Sequence, residues 1–146
     1  MNRSSQRRFA FTFVVCVIAL SFVTGCGNAT ARISGKVTLK NQPVPGAELI
    51  IAPVNDSSRN YRGLTIADGS YQIDYGPAGG LPLGEYRVTV VVHQTAAGAL
   101  LPEGEAGQVL RNSGQAVQRR YVLSLTVEKA TKQVDFNLDT AQLEMP

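Results

Sequence analysis

The chain has 146 residues, with 14 Lys+Arg against 11 Asp+Glu and a formal net charge of +3. Arg3, Arg7 and Arg8 precede position 26 and every acidic residue follows it, so residues 26–146 carry 14 − 3 = 11 basic against 11 acidic groups. This neutral body excludes the basic surface that nucleic-acid binding needs, and with both cysteines, Cys16 and Cys26, inside the first 26 residues it excludes a disulfide framework or a soft metal site.

Behind the three arginines runs Phe9 to Thr24 (FAFTFVVCVIALSFVT), an apolar stretch of 16 residues. As a helix it would be about 24 Å long, short of a hydrocarbon core of about 30 Å, so it reads as the apolar region of a signal peptide. It ends in Val23-Thr24-Gly25-Cys26. This motif resembles the lipobox of bacterial lipoproteins. The resemblance implies cleavage between Gly25 and Cys26 and lipidation of Cys26 by a diacylglyceryl thioether and an N-acyl chain of the palmitate kind. With about 0.8 kcal/mol per buried methylene, two or more chains would hold the protein permanently at a membrane. Gln6-Arg7-Arg8-Phe9 is loosely similar to a twin-arginine signal, but the strongly apolar run favours the general secretory route. Gly27 in place of Asp favours the outer membrane over the inner, by the same resemblance.

After a tether over 26–32 the pattern turns to period-two alternation, which predicts seven half-buried strands. They are Ile33–Leu39, Ala47–Ile51, Leu64–Ile66, Tyr71–Tyr75, Tyr86–His93, Tyr121–Val127 and Val134–Leu138. Leu64 and Ile66 are expected to share the inward face of the third. Turn residues separate the strands: Asn41-Gln42-Pro43-Val44-Pro45-Gly46, Asp68-Gly69, a Gly/Pro-rich loop over Gly76–Gly84, and Ala130-Thr131. Short strands, frequent turns and no helical stripe beyond two turns predict an all-β fold, a seven-strand antiparallel sandwich. Gln94–Arg120, rich in Ala, Gly and Gln, is expected to be a long loop in which Gly104–Leu110 could form one helical turn. Residues 141–146 are expected to be a tail.

The pieces Gly35-Lys36-Val37-Thr38, Pro43-Val44-Pro45-Gly46-Ala47, Ala67-Asp68-Gly69-Ser70-Tyr71, Gly84-Glu85-Tyr86-Arg87-Val88-Thr89-Val90 and Val134-Asp135-Phe136-Asn137-Leu138 stand in a familiar order. They resemble the carboxypeptidase regulatory-like domain, a transthyretin-like (prealbumin-type) Greek-key β-sandwich, over 33–140. The resemblance implies a fold with Tyr71, Tyr86 and Phe136 between the sheets and an accessory, non-catalytic role. A hydrolase relative needs several histidines and a C-terminal Tyr-Arg-Gly-Ser. This chain has one histidine and ends Gln142-Leu143-Glu144-Met145-Pro146, so that activity does not transfer.

His93 is the single candidate general base at neutral pH. It is expected on the outward face at a strand end, and no motif supplies a nucleophile or an orienting acid for it. Ser124 and Ser57-Ser58 lack a Gly-x-Ser-x-Gly context. Asp68-Gly69 lacks the flanking acids of a calcium loop, Gly79-Gly80 is no phosphate cradle, and no cluster has zinc spacing. Tyr61, between Arg59 and Arg62, is expected to be an exposed loop aromatic that could touch a ligand, with His93 the other such residue. The expectation is a non-catalytic, lipid-anchored cell-envelope protein without metal or cofactor. It would bind an envelope protein or a glycan through its strand-end loops, Asn55–Arg62 and Gln94–Arg120. A peptidoglycan-binding module is the alternative, an unrecognised hydrolase a weaker one, and assembly through an edge strand a third.

Overall fold

The computed structural model describes residues 29–144 except positions 57, 103 and 130. The expected signal peptide, with its expected cleavage site at Gly25 and lipid acceptor Cys26, lies outside the described residues. In chain order the strands are β1 (Thr30–Ala31), β2 (Val37–Leu39), β3 (Gln42–Pro43), β4 (Glu48–Pro53), β5 (Tyr61–Thr65), β6 (Tyr71–Asp74), β7 (Leu81–Pro82) and β8 (Gly84–Thr95). A helix, α1 (Glu105–Asn112), precedes β9 (Ala116–Val127), β10 (Phe136–Asn137) and β11 (Gln142–Glu144).

Six strands form one antiparallel sheet in the order β11-β9-β8-β4-β5-β6, and β10-β2-β3 form a smaller one. The alternation of β4 and β8 turns Leu49, Ile51, Val88, Val90 and Val92 to one face, where all are buried. The smaller sheet closes over that face with Val37, Leu39 and Phe136, while Ala31, Ile33, Val44, Leu81 and Leu138 seal the margins of one core. Tyrosines reach into it with their polar ends satisfied, as buried phenols require. Tyr71 donates to the Val134 carbonyl at 2.7 Å and stacks on Phe136 at 5.5 Å. Tyr86 donates to the Pro82 carbonyl at 2.7 Å. The Tyr75 hydroxyl accepts from Ile33 N and donates to Ile33 O, each at 2.8 Å. Gly35 is required by close approach, since a Cβ there would lie 1.9 Å from the Val134 carbonyl oxygen.

Several expectations need correction. The third strand is Tyr61–Thr65 and its phase is inverted: Thr65 is 2% exposed, whereas Leu64 and Ile66 are 56% and 51% exposed. Thr65 turns inward because its Oγ1 accepts the Ala47 N–H at 2.7 Å, a bond that neither aliphatic neighbour can make. Gln94–Arg120 is not a loop. β8 and β9 pair over 12 residues each, from Gly84↔Val127 to Thr95↔Ala116, and their connection holds the eight-residue helix α1 where one helical turn was expected. Backbone ladder bonds do not depend on side-chain polarity, so the stretch from Ala116 to Arg120 joins the ribbon. The expected tail contains β11, paired with Arg120–Val122 of β9, and the tether contains β1, paired with β7. Finally β2 and β10 run parallel, continued by a parallel bridge Ser34↔Gln133. Antiparallel sense is imposed by hairpins, and these segments lie 99 residues apart, where Lys36 N donates to Asp135.

The long ribbon gives the domain two ends. Thr30 enters beside Pro82, next to the start of β8, and the turn of the ribbon with α1 lies at the other. Twelve residues of strand separate the two by about 40 Å.

Candidate functional sites at the two ends of the sheet

At the tether end, the polar run Ser58-Arg59-Asn60 leads into β5 and the turn Tyr75-Gly76-Pro77-Ala78 leaves β6. Between them lies an open cleft of about 570 Å³. Tyr61 lines it, but as a strand residue 9% exposed and not as a loop aromatic. Ile51 stands opposite it in β4, which fixes it on the inward face, and its ring meets Tyr86 edge-on at 6.4 Å. Tyr75 forms a second aromatic wall, held from behind by its two bonds to Ile33. Burial pushes the Tyr75 and Tyr86 hydroxyls above the ordinary phenol range, so both remain neutral donors and acceptors at physiological pH. Arg59, Asn60, Arg62 and Asp74 supply the polar rim. Arg59 also pairs with Asp56 at 3.3 Å and Arg62 with Glu48 at 3.2 Å, both in solvent. The cleft therefore offers rings with fixed orientation, guanidinium and amide donors, and a carboxylate acceptor.

At the far end lies a smaller cavity of about 250 Å³ lined by Thr65, Ile66, His93, Leu101, Pro102 and Arg111, among others. His93 is on the outward face of β8, as its spacing predicted. Val92 and Gln94 on either side of it are buried inward, and Gln118 stands opposite. Leu100, Leu101, Pro102 and α1 lie over this outer face, where Leu101 and Val91 are buried. No carboxylate, cysteine or serine is among the described lining residues. Tyr61 and His93 belong to different sites. Tyr61 stands in the register row of Val88, five residues along β8 from His93, about 17 Å away in the strand direction alone.

Sequence reasoning missed Tyr75 and Arg111. Tyr75 looked like the last inward residue of a strand. Arg111 lay within a presumed loop, although the sequence Glu105 to Asn112, with an acid in the first turn and Arg111 in the last, carries the charge order that suits a helix dipole. Asp68 behaves as a turn residue: its carboxylate accepts from Ser70 N and Ser70 Oγ and pairs with Lys36 at 3.1 Å. Among the described residues no three His, Cys, Asp or Glu side chains gather as a metal site, and no helix is long and apolar enough to cross a membrane.

No family model matches the chain, and no curated protein does. Among solved structures it is similar to a Pseudomonas aeruginosa protein described as a "putative carbohydrate binding protein", at 10% identity, with 82% of this chain and 95% of that one covered and a TM-score of 0.47. It is also similar to (S)-allantoin synthase, at 11% identity, over 79% of this chain and 44% of that one, with a TM-score of 0.34.

Proposed function

We propose that the chain is a non-catalytic, lipid-anchored protein of the cell envelope, whose β-domain is a Greek-key sandwich of the carboxypeptidase regulatory-like kind, with further short strands added to the seven expected. The observation that carries the reading is the way the tether joins the domain. Thr30 is four residues beyond Cys26, so the start of β1 lies at most about 14 Å from the acceptor sulfur's residue. From there the chain is fastened by β1–β7 pairing, by the two Tyr75 bonds to Ile33, and by Arg32 Nε donating to the Gly79 carbonyl at 2.6 Å. A lipid on Cys26 would hold one end of the sheet near the bilayer, in the outer membrane by the Gly27 argument, and the ribbon would carry the far end about 40 Å outward. Membrane fractionation of wild type and Cys26→Ser tests this. Wild type should stay with the membrane through a high-salt wash and the variant should not. Retention of the variant would overturn the anchor.

A second reading, glycan binding at the tether-end cleft, is favoured by the partly exposed Tyr75 ring standing beside Arg59, Asn60 and Asp74, with Tyr61 at the base of the cleft. A ring that packs on an apolar sugar face beside donors and acceptors suits a polyhydroxylated ligand. Wild type should be retained on peptidoglycan or exported polysaccharide, and the exposed-rim variant Arg59→Ala/Asn60→Ala should be retained less. Equal retention of the two sinks the reading.

A further inference from the structure

We propose that the far-end cavity binds a single oxyanion group, a carboxylate or a phosphate, between His93 and Arg111. The two side chains come from β8 and α1 and line one cavity because the connection after Thr95 folds back over the sheet. Arg111 is aimed there by Gly107. A Cβ at Gly107 would lie 2.0 Å from the Pro102 carbonyl oxygen and 3.7 Å from Arg111 Nη1. The missing side chain therefore lets α1 settle on Pro102 and lets the Arg111 guanidinium lie back along the helix, toward the side where Pro102 lines the cavity.

Among the described lining residues, His93 and Arg111 are the two with ionisable side chains. Ile66 and Leu101 present hydrocarbon. The polar groups of the turn beneath are already used: Gly46 N donates to the Thr65 carbonyl, and Thr65 Oγ1 accepts from Ala47 N. A guanidinium offers two parallel N–H donors to an oxyanion, and an imidazole offers a third from a different direction. The volume of about 250 Å³ admits one small charged group and leaves its carrier, free or polymeric, outside. This inference does not rest on the lipid anchor or on the glycan cleft.

His93 is the only histidine in the chain, so its ring nuclei form one assignable set of signals in histidine-labelled full-length protein in detergent. Phosphate, acetate and chloride are titrated separately at constant pH and matched ionic strength. The expected result is a saturable His93 shift with phosphate or acetate and none with chloride. Arg111→Gln should weaken half-saturation about tenfold, and Arg87→Gln, an exposed arginine of β8 outside the cavity, should leave it unchanged. Saturation by phosphate alone assigns phosphoryl ligands, by acetate alone carboxylates, and either upholds the site. A shift that follows ionic strength alone, or that is the same in Arg111→Gln, overturns it.

Discussion

Replacing Thr65 by Val separates the observed phase of β5 from the one its aliphatic residues suggest. Thr65 is 2% exposed and Ala47 1%, and the Thr65 Oγ1 accepts the Ala47 N–H at 2.7 Å. Around that bond, Thr65 N donates to Ala47 O at 3.0 Å and Gly46 N to Thr65 O at 3.1 Å. Valine keeps the shape and the branching, so packing is conserved, but the buried Ala47 N–H loses its acceptor. Leaving such a donor unpaired costs about 1–3 kcal/mol. For a domain of this size a loss of 1 kcal/mol lowers Tm by roughly 4 °C, which puts the variant about 4–12 °C below wild type. Leu64→Thr and Ile66→Thr, at residues more than half exposed, should each stay within about 0.5 kcal/mol of wild type. Thermal unfolding followed by far-ultraviolet circular dichroism measures all three. A Thr65→Val protein as stable as wild type, beside a Leu64→Thr protein that loses several degrees, would refute the assigned face of β5.

Three further outcomes follow from the packing and the titrating groups. Gly35→Ala places a methyl 1.9 Å from the Val134 carbonyl, so the β2–β10 side of the core must shift; a Tm drop larger than that of Thr65→Val is expected in the same assay. Burial holds the Tyr71, Tyr75 and Tyr86 hydroxyls above the ordinary phenol value. The unfolded chain therefore ionises first, and the stability that these groups contribute is intact below about pH 10 and lost as pH rises beyond it. Tyrosinate absorbance at alkaline pH should appear together with loss of circular dichroism, and full ionisation of a still-folded protein would contradict the burial of these rings. The Asp68 carboxyl is held well below the usual carboxylate range by Ser70 Oγ, Ser70 N and Lys36. Its contribution is present above about pH 4 and lost as pH falls below it, so the Tm gap between wild type and Asp68→Asn should narrow in acid, and a constant gap would refute the linkage.

Much of the β pattern was legible because alternation is a direct record of one-sided burial. The faces of β4, β8 and the lower part of β9, the Asp68-Gly69 turn and the inward Tyr71, Tyr86 and Phe136 all read correctly. The failures share a cause: residues whose place is set by backbone pairing or by one hydrogen bond carry no hydrophobic signal. Thr65 is buried by its hydroxyl bond to Ala47, against the pull of Leu64 and Ile66. Tyr61 follows a polar run but falls opposite Ile51 in the sheet. The upper ribbon and β11 are built largely from polar and small residues whose ladder bonds are invisible to hydropathy, whereas α1 lies where a single helical turn was expected. The parallel sense of β2 and β10 has no local signature, since no turn joins them. Of the candidate sites, His93 was found because it is the chain's one histidine, while its companion Arg111 depended on a helix that only the folded connection reveals.

The central claim is that a lipid on Cys26 fixes the tether end of the sheet at a membrane. It is tested most directly by the intact mass of the detergent-extracted protein from its own cell, wild type against Cys26→Ser. The account predicts a mature chain beginning at Cys26 and carrying diacylglyceryl and N-acyl groups, with both the cleavage and the added mass lost in the variant. An unmodified wild-type chain, or one cut elsewhere, would contradict it.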